Sequence, residues 1–178
     1  MSAKKSPGFG RYPLRYLALG LLMKGPGHGY QLDQELEDDF GMIWKAGQTK
    51  LYVTLSNLEE EGLLRSEMEP QQNRPDRKVY LETEQGREEF LSWVTSPVPS
   101  LRAVRVELIA KLRFFDLLDL PGLPELIQDQ QRIFQAMIEE WLADQADETD
   151  DFLVRVYEFR IRQARFMSQW LEEYAQGA

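Results

Sequence analysis

The chain has 178 residues, of which 43% are hydrophobic, and a formal net charge of -9, which suits one compact domain or two small ones. It lacks cysteine and has a single histidine, His28, so disulfides, thiolate metal sites and multi-histidine metal sites within one chain are excluded, and we expect no cofactor. No apolar run approaches the ~20 residues of a membrane span, and no apolar segment precedes a cleavage site, so we expect a cytoplasmic protein.

The N-terminal region is predicted to hold an arm and two helices. Residues 1–11 are small and basic, and we expect either an untidy terminus or an arm that contacts a nucleic-acid backbone. Pro13 suits the first turn of a helix that ends at the breakers of residues 24–27. The apolar face of this helix holds Leu14, Leu17, Ala18, Leu21 and Leu22. A second helix is predicted from about Gly29 to Phe40, with its inward side chains at Tyr30, Leu32, Leu36 and Phe40.

A third helix is predicted to begin at Gln48. Leu51, Leu55 and Leu58 recur at helical spacing, so one side of the helix faces a core while its polar side points elsewhere. Gly62 favours a left-handed cap at the end of the helix. A short strand, a turn-rich segment at residues 70–76 and a returning strand at residues 78–81 are predicted to follow as a two-stranded ribbon.

A helix followed by a ribbon with cations near its tip is typical of a winged helix-turn-helix. Here Arg74, Arg77 and Lys78 lie near the tip of the ribbon. In such a domain the helix enters the major groove of double-stranded DNA and the ribbon, or wing, contacts backbone phosphates. We therefore predict a DNA-binding domain over residues 12–95.

The second half of the chain is predicted to be helical. Thr83 suits the cap of a fourth helix with Phe90, Leu91 and Trp93 on its apolar face. Residues 96–100 contain two prolines and cannot continue that helix, so we place a linker there. Residues 101–178 are then predicted to form three helices, with the acidic run from Asp144 to Asp151 before the last one.

The last helix carries two adjoining apolar stripes. The first stripe consists of Phe152, Val156, Phe159, Gln163, Phe166 and Trp170. The second consists of Leu153, Tyr157, Ile161, Ala164, Met167 and Leu171. Packing inside one chain is the simpler interpretation, but this is more apolar surface than three helices can bury among themselves, so we expect a homodimer. The predicted fold class is mostly α with a small two-stranded ribbon: an N-terminal winged helix-turn-helix plus a C-terminal antiparallel helical dimerisation domain.

The acidic net charge argues against DNA binding unless the charge is unevenly distributed. Residues 1–95 hold 12 Lys+Arg and 15 Asp+Glu, a balance of -3, whereas residues 96–178 hold 9 and 15, a balance of -6. The excess acid therefore lies mainly outside the predicted winged domain. A local basic patch can bind phosphates on an acidic protein.

Four motifs and two later residues together identify a family. In chain order they are Gly25 to Tyr30, Thr49 to Tyr52, Leu58 to Leu63 and Arg77 to Tyr80, followed by Thr83 and Gly86. In this order they resemble the PadR family of bacterial transcriptional regulators over about residues 12–93. The acidic helical region that follows resembles the longer members related to the phenolic-acid response repressor.

The resemblance implies a function and an assembly. Such proteins are homodimers whose C-terminal helices dimerise and whose winged domains bind a pseudo-palindromic operator. The resemblance further implies a repressor that is released by a small aromatic or amphipathic effector. The recognition helix departs from the family pattern, because Val53 stands where members usually carry proline and Lys50 adds a charge, so base preference does not transfer.

The predicted DNA-contacting residues each have a structural alternative. They are Gln48, Thr49, Lys50, Tyr52 and Val53 on the helix and Arg74, Arg77 and Lys78 on the wing. Lys50 suits a phosphate or guanine contact, whereas Gln48, like Asn57, suits an adenine edge or, for Gln48, a helix cap. Tyr52 either donates to a phosphate or covers the junction of helix and wing. His28 is expected to have a structural or phosphate-proximal role in the turn before the second helix.

Three tryptophans are candidates for an effector pocket, since aromatic faces stack on flat apolar ligands: Trp93, Trp141 and Trp170. Their alternative role is ordinary core packing. A rival function keeps the fold without specific DNA binding, as an acidic protein-interaction module. An enzyme is not supported, because the sequence has no nucleophile motif, metal cluster or phosphate loop.

Overall fold

The computed structural model describes residues 13–70 and 76–177. Its helices are α1 (Leu14–Leu22), α2 (Gly29–Phe40), α3 (Gln48–Glu60), α4 (Glu84–Val94), α5 (Leu101–Ala103), α6 (Ile109–Leu118), α7 (Leu123–Asp147) and α8 (Asp151–Gly177), with a π-helical turn at Val104–Leu108. The strands are β1 (Gly27–His28), β2 (Leu64–Glu69) and β3 (Arg77–Glu82). The predicted arm at residues 1–11 and Arg74 lie outside the described residues. No helix among those described is both long and apolar enough to cross a membrane.

The first three helices form as their leucine spacing predicts. The core-facing leucines of α1 and α3 are buried, and α2 has the predicted bounds. The inward orientation predicted for Tyr30 is wrong, because 57% of its surface is exposed. Tyr30 precedes Leu32 by two residues and therefore lies on the opposite side of the helix from the buried stripe. Its hydroxyl accepts a hydrogen bond from Nε2 of Gln34 at 3.2 Å.

The sheet has three antiparallel strands in the order β1-β3-β2. β2 and β3 form the predicted ribbon, with Leu64 opposite Glu82 and Glu69 opposite Arg77. The predicted fold class therefore holds with one correction: β1 adds a third strand, in which Gly27 pairs with Tyr80. A strand of two residues, one of them glycine, is too short to show an alternating pattern, so the sequence did not predict β1.

Both ends of the wing are anchored by hydrogen bonds to backbone groups. Gly62 has a φ of +75° and ends α3, and the N–H of Leu63 donates to the carbonyl of Leu58 at 2.9 Å. Thr83 caps α4 as predicted, because its Oγ1 accepts from the N–H of Gly86 at 3.1 Å. The same hydroxyl donates to the carbonyl of Gly62 at 2.9 Å, so the end of α3 is tied to the start of α4.

The chain divides into two compact units. The first contains the described residues up to Val94 together with Ile109–Asp119, and the second contains Thr95–Leu108 and the described residues from Leu120 onward. α6 joins the first unit because the buried ring of Phe114 packs against Phe40 and Phe90, with centroids 4.8 and 5.0 Å apart. This packing differs from the predicted assignment of residues 101–178 to one region, and the predicted boundaries remain a proposal.

The second unit is built on the pair α7 and α8. Residues 148–150 join these helices, and Ala175 lies near Leu123 at the opposite end, so the helices run antiparallel. The predicted break at the acidic run is shorter than expected, since α7 continues to Asp147. α8 packs its buried Ile161, Ala164 and Leu171 inward.

A buried glutamine fixes the predicted linker within the second unit. Gln130 of α7 is fully buried, and its Oε1 accepts from the N–H of Val98 at 2.7 Å while its Nε2 donates to the carbonyl of Val98 at 3.1 Å. Val98 itself is fully buried. The middle of residues 96–100 is therefore held against α7.

Candidate nucleic-acid interface

The exposed side of α3 carries the predicted groove-facing residues. Leu51, Leu55 and Leu58 are buried on one side of the helix. Five predicted contacts and Asn57 are exposed: Gln48, Thr49, Lys50, Tyr52, Val53 and Asn57. The helix thus presents a mixed polar and apolar surface, which suits the donors, acceptors and methyl groups of a major groove.

Gln48 is tied to the neighbouring helix. Its Nε2 donates to Oδ2 of Asp33 on α2 at 3.3 Å. The cap position of α3 is occupied by Gly47. Gln48 is therefore not the helix cap, which was one of its two predicted roles. The bond to Asp33 is exposed, which leaves the amide within reach of a ligand.

Lys50 is oriented back along its helix by an aromatic ring. Its Nζ lies 5.5 Å from the ring centroid of Trp44, in the connector before α3. A cation over an indole face is stabilised by the ring quadrupole. The ammonium group is thus directed toward the N-terminal end of α3.

Tyr52 packs over the start of α2. A Cβ atom at Gly29 would lie 2.4 Å from Cε1 and 2.9 Å from the hydroxyl oxygen of Tyr52, so the ring occupies the space that only glycine leaves there. Tyr52 nevertheless remains exposed. The side chain therefore covers a junction within the first unit and also presents surface outward, so both predicted roles stay open.

His28 lies where the sequence placed it, in the turn before α2. It occupies the cap position of α2 in an extended conformation and pairs with Val79 in the sheet. Its side chain makes no capping hydrogen bond to the described residues. The pairing of its backbone gives His28 a structural role in the first unit.

The wing cations Arg77 and Lys78 occupy adjacent positions of β3 and therefore point to opposite faces of the ribbon. Lys78 faces α3, where its Nζ donates to Oε2 of Glu59 at 2.6 Å. Ser66 of β2 donates to the other oxygen of the same carboxylate. The hydrogen bonds from Lys78 and then from Ser66 lower the pKa of Glu59, and the bond to Glu59 raises the pKa of Lys78. Both groups are therefore charged near neutral pH.

The sequence did not identify Glu59 as part of this interface. The sequence pattern predicts one solvated helix end for Glu59, Glu60 and Glu61 together. In the structure Glu61 pairs with Arg15 at 2.8 Å, Glu60 is exposed, and Glu59 faces the wing. Adjacent residues of a helix point about 100° apart, so three consecutive acids cannot share one environment.

The three tryptophans lie in different surroundings. Trp93 is buried in the first unit and stacks on Tyr16, with ring centroids 4.7 Å apart and planes 4° apart. Lys111 lies above its ring, with Nζ 4.9 Å from the centroid, and this lysine is only 1% exposed. The hydrophobic spacing of α6 gave no signal for a buried lysine, so the sequence did not predict it.

The other two tryptophans belong to the second unit. Trp141 packs beside the buried cluster of Ile138, Ile161 and Ala164. Trp170 lies 5.6 Å from the ring of Tyr174 on the same helix. A cavity of about 510 Å³ in this unit is lined by Leu123, Pro124, Glu125, Ile127, Gln128, Gln131 and Ala175. Neither Trp141 nor Trp170 lines that cavity.

Comparisons with known proteins agree with this geometry. Residues 18–92 match the model of the Transcriptional regulator PadR-like family. The negative transcriptional regulator PadR of Bacillus subtilis is 29% identical over 125 residues, which cover 70% of this chain and 69% of that protein. A probable transcriptional regulator of Mycobacterium tuberculosis is 32% identical over 77 residues, which cover 43% of this chain and 41% of that protein.

A solved structure shows the same fold. The crystal structure of Bacillus subtilis PadR in complex with operator DNA matches with a TM-score of 0.50 and 23% identity, over 96% of this chain and 100% of that chain. The family match falls on the elements that form the exposed recognition helix and the wing. Residues 18–92 therefore belong to the PadR-like family of transcriptional regulators, and the chain is similar to PadR of Bacillus subtilis over most of its length.

Proposed function

We propose that this protein is a homodimeric repressor that binds a pseudo-palindromic operator in double-stranded DNA in the cytoplasm. The observation that carries the proposal is the exposed side of α3 beside a two-stranded wing, in a chain of a transcriptional-regulator family. The Bacillus subtilis relative is described as a negative regulator and has been crystallised with operator DNA. Repression through operator binding is the corresponding activity here.

Each winged domain reads one half-site. The groove-facing residues are Gln48, Thr49, Lys50, Tyr52 and Val53, and the wing holds phosphates through Arg74, Arg77 and Lys78. In a two-fold dimer the two α3 helices enter major grooves about 34–36 Å apart, one turn of DNA. The excess acid of residues 96–178 keeps the sequence-independent attraction to DNA low, because that attraction comes from phosphate neutralisation.

The dimer interface is formed by α8. Its Phe152, Phe159 and Phe166 are 70%, 65% and 68% exposed, although they recur at heptad spacing on the opposite side of the helix from the buried Ile161 and Ala164. A row of exposed phenylalanines on a long helix is stabilised when another subunit covers it. This row supports the assignment of α8 to dimerisation.

A small aromatic or amphipathic effector releases the operator. The Bacillus subtilis relative has been crystallised with p-coumaric acid, which is an aromatic acid. Trp93, Trp141 and Trp170 are the candidates for contact with such a ligand in this chain. A ligand shifts the protein toward the released state only by binding that state more tightly.

The test is fluorescence anisotropy of a labelled duplex from the region upstream of the protein's own gene, beside a scrambled duplex, at several salt concentrations. We expect tight binding to the native duplex alone. Lys50→Ala should weaken that binding by about 1–3 kcal/mol, the range of one specific base contact. Arg74→Ala should reduce the salt slope by about one unit, since one phosphate contact is lost.

Two outcomes would contradict the proposal. Equal and weak binding to both duplexes would favour an acidic protein-interaction module with a winged-helix fold. A salt slope that does not change in Arg74→Ala would remove Arg74 from the phosphate contacts.

A further inference from the structure

Three elements of the first unit meet at the carboxylate of Glu59. Glu59 lies in the last turn of α3, and its two oxygens are bonded to Lys78 of β3, at 2.6 Å, and to Ser66 of β2. The carboxylate therefore holds both strands of the wing against the recognition helix.

Lys78 is confined on a second side by an aromatic ring. Its Nζ lies 5.2 Å from the ring centroid of Tyr80, and Tyr80 is buried. Ser66 and Tyr80 are direct partners across the ribbon, so the residues that surround Lys78 belong to one face of the sheet. A lysine has several rotatable bonds, and these contacts restrict where its ammonium group can lie.

We propose that Glu59 is a positioning residue for operator specificity. It neutralises and holds Lys78 at the junction of α3 and the wing, so that this lysine meets a phosphate only when α3 is seated in its operator. The inference rests on the proposed function and adds to it a residue that does not itself contact DNA.

A free cation on the DNA-facing surface lowers the sequence specificity of binding. An unpaired lysine on a DNA-facing surface attracts every phosphate equally, which strengthens sequence-independent binding. A lysine bonded to a carboxylate contributes little to that attraction. An ammonium group has three N–H donors, so Lys78 can keep Glu59 and still donate to a phosphate at a fixed position.

The test compares Glu59→Gln with the wild-type full chain on two duplexes. One is the duplex that the wild-type protein enriches from a random-sequence library, and the other is a scrambled duplex of the same composition. Glutamine keeps the shape of the side chain and an oxygen for Ser66 but removes the charge. We expect binding to the scrambled duplex to tighten roughly threefold or more and its salt slope to steepen by about 0.9 per subunit. Binding to the enriched duplex should not tighten. The specificity ratio, which is the affinity for the enriched duplex divided by the affinity for the scrambled duplex, should therefore fall.

Glu60→Gln is the matched control, because it removes the same charge from an exposed neighbour on the same helix. It should leave the specificity ratio close to that of the wild type. In a Lys78→Gln background, Glu59→Gln should have no further effect on the ratio, which separates the pairing from a general loss of stability.

Two results would overturn the role of Glu59. One is an equal change of the specificity ratio in Glu59→Gln and Glu60→Gln, and the other is a ratio that Glu59→Gln leaves unchanged, as it would after an equal weakening of binding to both duplexes. A wild-type protein that enriches no duplex would instead refute the proposed function. A wild-type preference that Glu59→Gln leaves intact would refute only this inference.

Discussion

Gly29 and Tyr52 are coupled by simple exclusion of volume. The ring of Tyr52 lies where a Cβ atom at residue 29 would stand, only 2.4 Å from that position. Tyr52 is also one of the residues proposed to face DNA. The absence of a side chain at residue 29 therefore fixes the position of a proposed DNA contact on another helix.

Gly29→Ala should destabilise the protein by about 1 kcal/mol, the low end of the cost of overpacking, because the ring of Tyr52 must move away from α2 but is already partly exposed. The displaced ring should also weaken operator binding in the anisotropy assay. Urea unfolding of the full chain measures the stability change.

The double variant Gly29→Ala/Tyr52→Ala provides the control. Without the ring, alanine at residue 29 should be neutral or should stabilise α2 by up to about 1 kcal/mol relative to Tyr52→Ala, since alanine is a better helix former than glycine. If Gly29→Ala lowers the free energy of unfolding equally in the wild type and in Tyr52→Ala, the ring of Tyr52 is not the cause of the loss.

At the scale of single residues, the sequence predicts burial better than partners. The leucines of α3 were predicted from their spacing alone, because helical periodicity determines which side faces a core. The environment of Glu59 was not predicted, since its partners Ser66 and Lys78 come from strands whose placement depends on the whole fold. The five predicted DNA contacts on α3 are exposed, and the roles of all eight predicted contacts stay predictions.

At the scale of elements, the two hydrogen bonds between Gln130 and Val98 form a clamp on the segment that was predicted as a linker. The side-chain amide of Gln130 satisfies both the N–H and the carbonyl of Val98, and both residues are buried. Buried backbone groups without such partners are costly. The polar residue in the apolar face of α7 is thus explained by the segment that it holds.

Gln130→Leu should lower the free energy of unfolding by about 2–4 kcal/mol, because each buried amide group left unpaired costs about 1–3 kcal/mol. Urea unfolding followed by circular dichroism measures the change. Gln128→Leu on the same helix is the control, and as an exposed substitution it should remain within about 0.5 kcal/mol of the wild type. A similar loss in both variants would argue against the clamp.

Elements with strong local signals were predicted closely, and weak ones were not. The bounds of α2, the cap by Thr83 and the left-handed Gly62 follow from residue types that favour one local conformation. β1 was not predicted, since its formation depends on pairing with β3. The acidic run was predicted to break a helix, but α7 continues to Asp147, because charged residues on an exposed side do not interrupt helical hydrogen bonds.

At the scale of the whole molecule, α8 has two apolar sides, of which one is buried and the other is exposed. Ile161 and Ala164 pack within the second unit, whereas Phe159 and Phe166 are exposed. The sequence showed both stripes, but only the structure separates the stripe that packs within the second unit from the stripe that stays exposed.

Phe159→Glu should convert the dimer to monomers in sedimentation-velocity experiments. Burying an unpaired carboxylate in an interface costs several kcal/mol, so the dissociation constant should rise about a hundredfold or more. Arg165→Gln changes the net charge of the chain by the same amount at an exposed position on another side of α8, and it should leave the dimer intact. A monomeric wild-type protein would contradict the assignment of α8.

The grouping of α6 with the first unit could not be predicted from the sequence. Its apolar spacing shows that one side of the helix is buried, but periodicity does not tell which neighbours bury it. Phe114 packs among Phe40 and Phe90, which are far away in the chain. Long-range packing of this kind depends on shape and volume, which a hydrophobic pattern does not encode.

The bond between Thr83 and Gly62 closes the base of the wing and leaves its tip free to vary. It joins the two residues between which β2 and β3 leave and return, so the flanking helices are held together independently of the ribbon. Because the entropy of closing a loop grows only slowly with its length, a longer or shorter ribbon changes little for α3 and α4. The tip beyond the pair Met68 and Lys78 can therefore change in length or sequence, and with it the backbone contacts proposed for the wing, while the bonds from Ser66 and Lys78 to Glu59 of α3 are kept.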